Sequence, residues 1–249
     1  MTSDDGSDEV VIFGDIHGNV GALEAVFDDM DERGLDSPRY CLGDLVGYGV
    51  YPNEVVEFVR EREIPTIVGN YDQGVGNDSD DCGCAYQTEE ERRRGDESIA
   101  WTNEVITDAN RAYLRDDLHD RVELELGALR VVLVHGSPRR VNEYLYEDRP
   151  ESSFERLLDS VEADVLVCGH THLPYHRTLP SGRHVVNAGS VGKPKDGDPR
   201  ACYVVLSADG TDLDVAFHRV EYDVEDMATA VEDSAMPSAF AEMLRRGTS

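Results

Sequence analysis

The sequence predicts a layered α/β fold of two packed sheets with helices on the outside, and three observations carry that expectation. Short apolar runs alternate with stretches of helical apolar spacing through the early part of the chain. The later part is dominated by strand-like runs separated by turn residues. The 249 residues contain no linker, so a single domain over 1–249 with a substantial core is expected.

Each element follows from its own pattern. The acidic, Ser- and Gly-containing start, 1–8, reads as a flexible tail and has no basic segment followed by an apolar stretch. A buried strand follows at Glu9–Phe13, then a helix over 20–30 with Val20, Leu23, Val26, Phe27 and Met30 on one face. A short strand at 39–42 precedes a helix over 52–62 that carries Pro52 early, and 66–68 reads as a third strand. This alternation argues for a largely parallel first sheet. Residues 74–95 read as a long loop, with Gly, Asp, Asn and two cysteines followed by the charged stretch 89–94; such loops are functional or mobile. Helix returns over 98–118 in two pieces around 107–110, and 121–126 pairs with 129–134 through Gly127-Ala128 as a hairpin. A helix over 154–161 leads into a strand at 164–168. Strands at 175–179, 183–187, 201–206 and 213–219 are punctuated by Pro180-Ser181-Gly182 and Asp209-Gly210. The C-terminal tail, 223–249, reads as two short helices broken at Pro237.

Composition narrows the setting. Asp and Glu number 52 against 23 Lys and Arg, a net charge of −29, and Lys193 and Lys195 are the only lysines. Such a surface repels itself in ordinary salt, whereas at molar salt the Debye length falls to about 3 Å. A salt-adapted (halophilic) cytoplasmic protein is expected; an acidic protein of an ordinary cytoplasm is the plainer alternative. No basic stripe exists for duplex nucleic acid. No run approaches the roughly 18 apolar residues of a membrane span. The five cysteines lack a secreted-scaffold spacing; Cys41, Cys168 and Cys202 sit in apolar runs as small buried hydrophobes.

The chemistry lies in short strings: Gly14-Asp15-Ile16-His17-Gly18, Gly43-Asp44, Gly69-Asn70-Tyr71-Asp72, His135-Gly136 and Gly169-His170-Thr171-His172. Most of them end an apolar run, so their side chains converge on one sheet edge. An Asp-x-His after a strand sends both side chains to one side while the chain stays extended. Asp15, His17, Asp44, Asn70, His135, His170 and His172 form a mixed oxygen and nitrogen set. Such a set suits two divalent transition-metal ions such as Mn, Ni, Fe, Zn or Co. Singly, each string is more often a satisfied polar terminus; together, with a leading Gly in four of five, they point to a two-metal centre.

These strings resemble the calcineurin-like metallophosphoesterase family, and the likeness extends from Val10 to about Tyr222. Gly43-Asp44-Leu45-Val46-Gly47-Tyr48-Gly49, Pro52-Asn53-Glu54 and Asn187-Ala188-Gly189-Ser190-Val191-Gly192 are closest to its compact prokaryotic phosphodiesterase branch. The resemblance implies a four-layer α-β-β-α sandwich of two mixed sheets flanked by helices. It also implies that Asp15, His17 and His172 hold one ion, that Asn70, His135 and His170 hold the other, and that Asp44 bridges. A metal-bridging hydroxide would attack the phosphorus without a covalent protein intermediate.

Tyr71 departs from the family, most of whose members place a histidine before Asp72 to assist the leaving group. A phenol with an ordinary pKa near 10 is a poor proton donor, so either Tyr71 is a weak catalytic substitute beside Asp72 or it only packs. The expected activity is hydrolysis of a small phosphodiester or other phosphate ester, without membrane or duplex partners and with an oligomer left open. Alternatives are a dinucleoside polyphosphate or protein phosphatase with the same metal site, or a protein-binding scaffold with reduced catalysis. Arg139 and Arg140 could clamp a phosphate or stand in a solvated turn. Cys82 and Cys84 read as a surface loop rather than a third metal site or a redox pair. His119, His176, His184 and His218 read as ordinary surface residues, with His176 close enough in sequence to reach the pocket.

Overall fold

A computed structural model describes residues 2–3 and 8–249 of the chain, so the tail expected over 1–8 falls largely outside the described residues. The order begins β1 (Thr2–Ser3), β2 (Glu9–Phe13), α1 (Val20–Glu32), β3 (Arg39–Cys41), α2 (Pro52–Glu61), α3 (Asn70–Gly76), α4 (Glu89–Val105) and α5 (Asp108–Asp116). It continues β4 (Val122–Leu126), β5 (Leu129–Leu133), α6 (Glu151–Val161), β6 (Val165–Cys168), β7 (Tyr175–Thr178) and β8 (His184–Asn187). The chain closes with β9 (Ala201–Asp209), β10 (Asp212–Val220), α7 (Val224–Glu232) and α8 (Ala239–Arg246).

The strands form two mixed sheets, ordered β1-β4-β5-β6-β8-β7 and β10-β9-β2-β3. Period-two alternation explains how they stack. Val10 and Ile12 of β2 face Val131, Leu133, Val165 and Val167 of the other sheet. Val11 and Phe13 turn outward against Leu23 and Val26 of α1 and Val55, Val56 and Val59 of α2. On the second sheet Val132, Leu166 and Val185 face Phe154, Leu157 and Leu158 of α6. Both sheets are therefore buried on both faces, which is why their central strands read as unbroken apolar runs. The expected two-sheet sandwich flanked by helices is borne out.

Three local expectations are corrected. The first sheet is not largely parallel: β2 pairs parallel with β3, but β9 returns from far along the chain and runs antiparallel to both β2 and β10. Residues 66–68 are no strand: they make only isolated parallel bridges, Cys41 with Thr66 and Ile67 with His119. The chain must turn at once into α3, whose first residue is Asn70, so no ladder can extend. The long loop expected over 74–95 is also shorter, because α3 covers its start and α4 begins at Glu89. The charged stretch is helical for local reasons. The Thr88 hydroxyl caps the amide of Glu91 at 3.1 Å, Glu89, Glu90 and Glu91 fill the first turn, and Arg93 bridges Glu90 and Glu97 at helical spacing.

Helices α7 and α8 lie on either side of Pro237 and build a satellite cluster in which Met227, Val231, Phe240 and Leu244 are buried. Phe240 meets the ring of Tyr48 edge-on at 5.0 Å, which joins this cluster to the loop after β3. No helix among the described residues is long and apolar enough to cross a membrane.

Candidate metal centre

All seven strand-end residues meet at one rim of the sandwich and are buried, none exposing more than 3 % of its surface. Asp15 and His17 leave β2, Asp44 leaves β3, Asn70 opens α3, His135 follows β5, and His170 and His172 follow β6. Five of them sit in the left-handed region, with φ of 51° at Asp15 and His17, 52° at Asp44, 65° at His170 and 61° at His172. Such residues cost about 1–2 kcal/mol each, so the strands end in strained turns that aim side chains inward. Glycines make room for those turns. A Cβ on Gly69 would overlap the Asp44 carboxylate, and one on Gly43, itself at φ 88°, would overlap the carbonyl of Ile67.

Each carboxylate is anchored by one oxygen. Asp15 Oδ2 accepts the amide of His170 at 2.9 Å, and Asp44 Oδ1 accepts the amide of Tyr71 at 2.9 Å. The other oxygens face the histidines: Asp15 Oδ1 lies 3.3 Å from His172 Nε2 and 3.9 Å from His17 Nε2. Asp44 Oδ2 lies between two groups, 3.5 Å from His17 Nε2 and 3.4 Å from His135 Nε2.

The histidines are oriented by the same logic. The Nδ1 of His17 donates to the carbonyl of Val46 at 2.9 Å, that of His135 to Leu42 at 2.8 Å, and that of His172 to Lys193 at 2.5 Å. A ring held this way turns its Nε2 inward, as a lone pair wherever the ring is neutral. Asn70 donates its amide to the carbonyl of Cys82 at 3.0 Å and the sulfur of Cys84 at 3.2 Å, which turns its Oδ1 toward His135 Nε2 at 3.1 Å. His17 Nε2 and His172 Nε2 stand 3.2 Å apart. Lone pairs at that distance repel unless a cation lies between them. Asp15 Oδ1 and His170 Nε2 are buried without any hydrogen-bond partner, as a site for cations requires. Two groups result, Asp15 with His17 and His172, and Asp44 with His135 and His170, their ligand atoms within 4.8 Å of one another. Both sets of donors fit divalent ions.

Electrostatics agrees with that fit. Burial lowers His17 to about 3, burial and then His135 lower His170 to about 3, and burial carries His172 well below the ordinary range. Burial opposes charge on His135 as well, but Asp44 and Asp15 hold it at about 9. Burial resists charge on Asp44, yet His135, His17 and His170 keep it well below the usual carboxylate range. Asp15 is raised to about 7 by burial.

The other expected site residues fall elsewhere. Asp72 accepts the amides of Leu45 at 2.8 Å and Gly69 at 3.0 Å, so it braces the two glycine turns. Tyr71 is 1 % exposed, its hydroxyl has no partner, and its ring packs edge-on to His17 at 5.5 Å and against Tyr48 at 4.7 Å. Arg139 and Arg140 line a separate cleft of about 360 Å³ beside His135 and Ser137, and Arg139 is held by Glu143. His176 pairs with His184 across β7 and β8 at 3.0 Å. Cys82 and Cys84 are free thiols, but a plain surface loop does not describe them: their segment folds over Asn70 and fixes its amide. Composition singled out Lys193 and Lys195, yet no motif marked them as site residues. Both line a cleft of about 590 Å³ together with Tyr48, Cys84, Tyr86, Tyr144 and Thr171.

Two acceptor groups joined through one carboxylate oxygen, on the rim of a two-sheet sandwich, form a site whose donors suit divalent ions. The model of the calcineurin-like phosphoesterase superfamily domain matches residues 9–211, and the chain belongs to that superfamily. An uncharacterized protein of Methanocaldococcus jannaschii is 32% identical over 255 residues, covering 96% of this chain and 98% of its own. The crystal structure of a metallophosphoesterase from Sphaerobacter thermophilus is 29% identical with a TM-score of 0.74, covering 96% of this chain and 99% of that one. A hypothetical protein from Pyrococcus horikoshii is 26% identical with a TM-score of 0.81 over 99% of both chains.

Ion binding is coupled to proton release. His135 at about 9 and Asp15 at about 7 hold protons near neutrality in the metal-free protein, and ion binding must displace them. Uptake of Mn²⁺ at pH 7 is expected to release about one proton or more, so affinity rises from pH 6 to pH 8. Calorimetry in two buffers of different ionisation enthalpy measures this; equal heats in both would overturn the linkage.

Proposed function

We propose that the chain is a dinuclear metal-dependent phosphodiesterase acting on small phosphate esters, with Asp15, His17 and His172 on one ion, Asn70, His135 and His170 on the other, and Asp44 between. The observation that carries this reading is Asp44 Oδ2, equidistant within 0.1 Å from a histidine of each group at 3.5 and 3.4 Å. Two divalent ions, when bound, supply a water of lowered pKa and neutralise the phosphoryl oxygens. The mixed histidine and carboxylate set favours Mn, Fe, Ni, Co or Zn.

The chain's own groups then set the scope of the reaction. Asp72 holds the turns that carry Asp44 and Asn70, and burial together with the Asp44 carboxylate pushes its own pKa up to about 7. Burial raises Tyr71 well above an ordinary phenol, which weakens it further as a proton donor. We read Tyr71 as a positioning residue that fills the space beside His17. Esters whose leaving groups need no proton are the substrates this arrangement favours, hence diesters with good leaving groups over alkyl monoesters.

The setting follows from charge. A net charge of −29 and five free cysteines support a salt-rich cytoplasm. Raising KCl from 0.1 to 2 M is expected to lift the unfolding midpoint by about 6 °C, or roughly 2 kcal/mol for a domain of this size. An unmoved midpoint would remove the salt-adapted reading.

The test of activity is turnover of bis-(4-nitrophenyl) phosphate with Mn²⁺ or Ni²⁺ in molar KCl. Asp44→Asn is expected to lose at least about 100-fold in kcat, several kcal/mol of charge stabilisation. Equal rates for the two proteins would sink the enzymatic reading and favour a binding scaffold. Tyr71→His should gain about tenfold or more on 4-nitrophenyl phosphate if an imidazole there can reach the leaving group. No gain would leave the position a packing site only.

A further inference from the structure

The geometry points to Lys193 and Lys195 as a phosphate-binding subsite beside the metal pair, so that the substrate carries a second phosphate group next to the scissile one. This rests on the phosphodiesterase reading and specifies its substrate class.

The deployment of cations is the first ground. Of 23 basic residues only these two are lysines, and they lie two positions apart in a single loop. Arginines on the surface are spent on carboxylates, as Arg245 is on Glu225 and Glu232. No ion pair among the described residues involves either lysine.

Placement is the second. The loop is tied directly to the first metal group: Val191 donates to the carbonyl of Gly14 at 3.0 Å, Gly192 to that of Asp15 at 3.0 Å, and the Ser190 hydroxyl to Asp15 at 2.7 Å. The Lys193 amide donates to that hydroxyl at 2.8 Å, and its carbonyl holds His172. Lys193 is 5 % exposed, and its Nζ lies 4.6 Å from the centre of the Tyr48 ring. Lys195 is half-buried on the same cleft.

Charge balance is the third. A buried cation without a counter-ion is costly, and one ring face offsets only a small part of that. Two divalent ions, when bound, would carry four positive charges, against which Asp15 and Asp44 would set two and a scissile diester with a hydroxide nucleophile the other two. Two further ammonium groups are left over. A second phosphate, near two negative charges at neutral pH, matches them, and lysine is an established point-charge partner for phosphate. The cleft of about 590 Å³ leaves room for it.

The experiment is calorimetric binding of thymidine 3′,5′-bisphosphate and thymidine 3′-monophosphate to the Mn²⁺-loaded protein in molar KCl. Parallel kinetics use thymidine 3′-(4-nitrophenyl phosphate) with and without a 5′-phosphate. Wild type is expected to prefer the doubly phosphorylated member of each pair by about tenfold or more. Lys193→Met and Lys195→Met, which keep chain length and remove charge, should each cut that preference to about threefold or less. Equal affinity for both nucleotides in wild type, or an intact preference in both variants, would overturn the proposal. If Lys193→Met fails to fold, the half-buried Lys195→Met decides alone. Absence of all ester turnover in wild type would remove the phosphodiesterase reading, while the binding preference would still report on the subsite.

Discussion

The rest of the structure depends on one electrostatic constraint: electron-rich ligand atoms that only a cation or a proton can reconcile are held within hydrogen-bond distance of one another. His17 Nε2 faces His172 Nε2 at 3.2 Å, and Asn70 Oδ1 faces His135 Nε2 at 3.1 Å. Without cations such contacts are repulsive or trap a proton, so a scaffold has to be rigid enough to impose them. That rigidity comes from sheets buried on both faces and from backbone groups, since amides anchor one oxygen of Asp15 and Asp44 while carbonyls orient His17, His135 and His172.

The strain is concentrated where the strands end. Left-handed backbone at five of the seven converging residues would be a poor choice in an ordinary loop. Here it turns a chain that is leaving a strand back across the rim, so that side chains from β2, β3 and β6 meet. Close packing of Gly43 and Gly69 against Ile67 and Asp44 permits the approach, and the Asp72 carboxylate ties these turns together through the amides of Leu45 and Gly69. The calcineurin-like phosphoesterase architecture is thus a device for bringing acceptors together at the cost of local backbone strain.

Around this centre the chain builds a wall of aromatic and basic side chains. Tyr71 packs against His17 and Tyr48 with its hydroxyl buried and without a hydrogen-bond partner. Lysines appear only at the mouth, in a protein that otherwise carries its positive charge as arginine. The segment with Cys82 and Cys84 closes over Asn70, and α8 brings Phe240 against Tyr48, so the pocket wall is assembled from parts distant in sequence.

By itself the sequence determined the two-sheet architecture, the order of most elements and the seven converging residues, because all three are written locally. A strand buried on two faces must be an apolar run, as at Glu9–Phe13, and a ligand at its end must follow that run, as Asp15 and His17 do. The helix at 89–94 was also written locally, in Thr88 and the Glu90, Arg93 and Glu97 spacing, but its charge masked it as loop. What only the tertiary structure decided were relations between separate segments: Asp72 as a brace, Tyr71 behind Tyr48, Arg139 and Arg140 in another cleft, and Lys193 and Lys195 beside the metal ligands. Those depend on where the chain returns, as Asp72 does to Leu45 across 27 positions and Lys193 to His172 across 21, and no local pattern encodes that return.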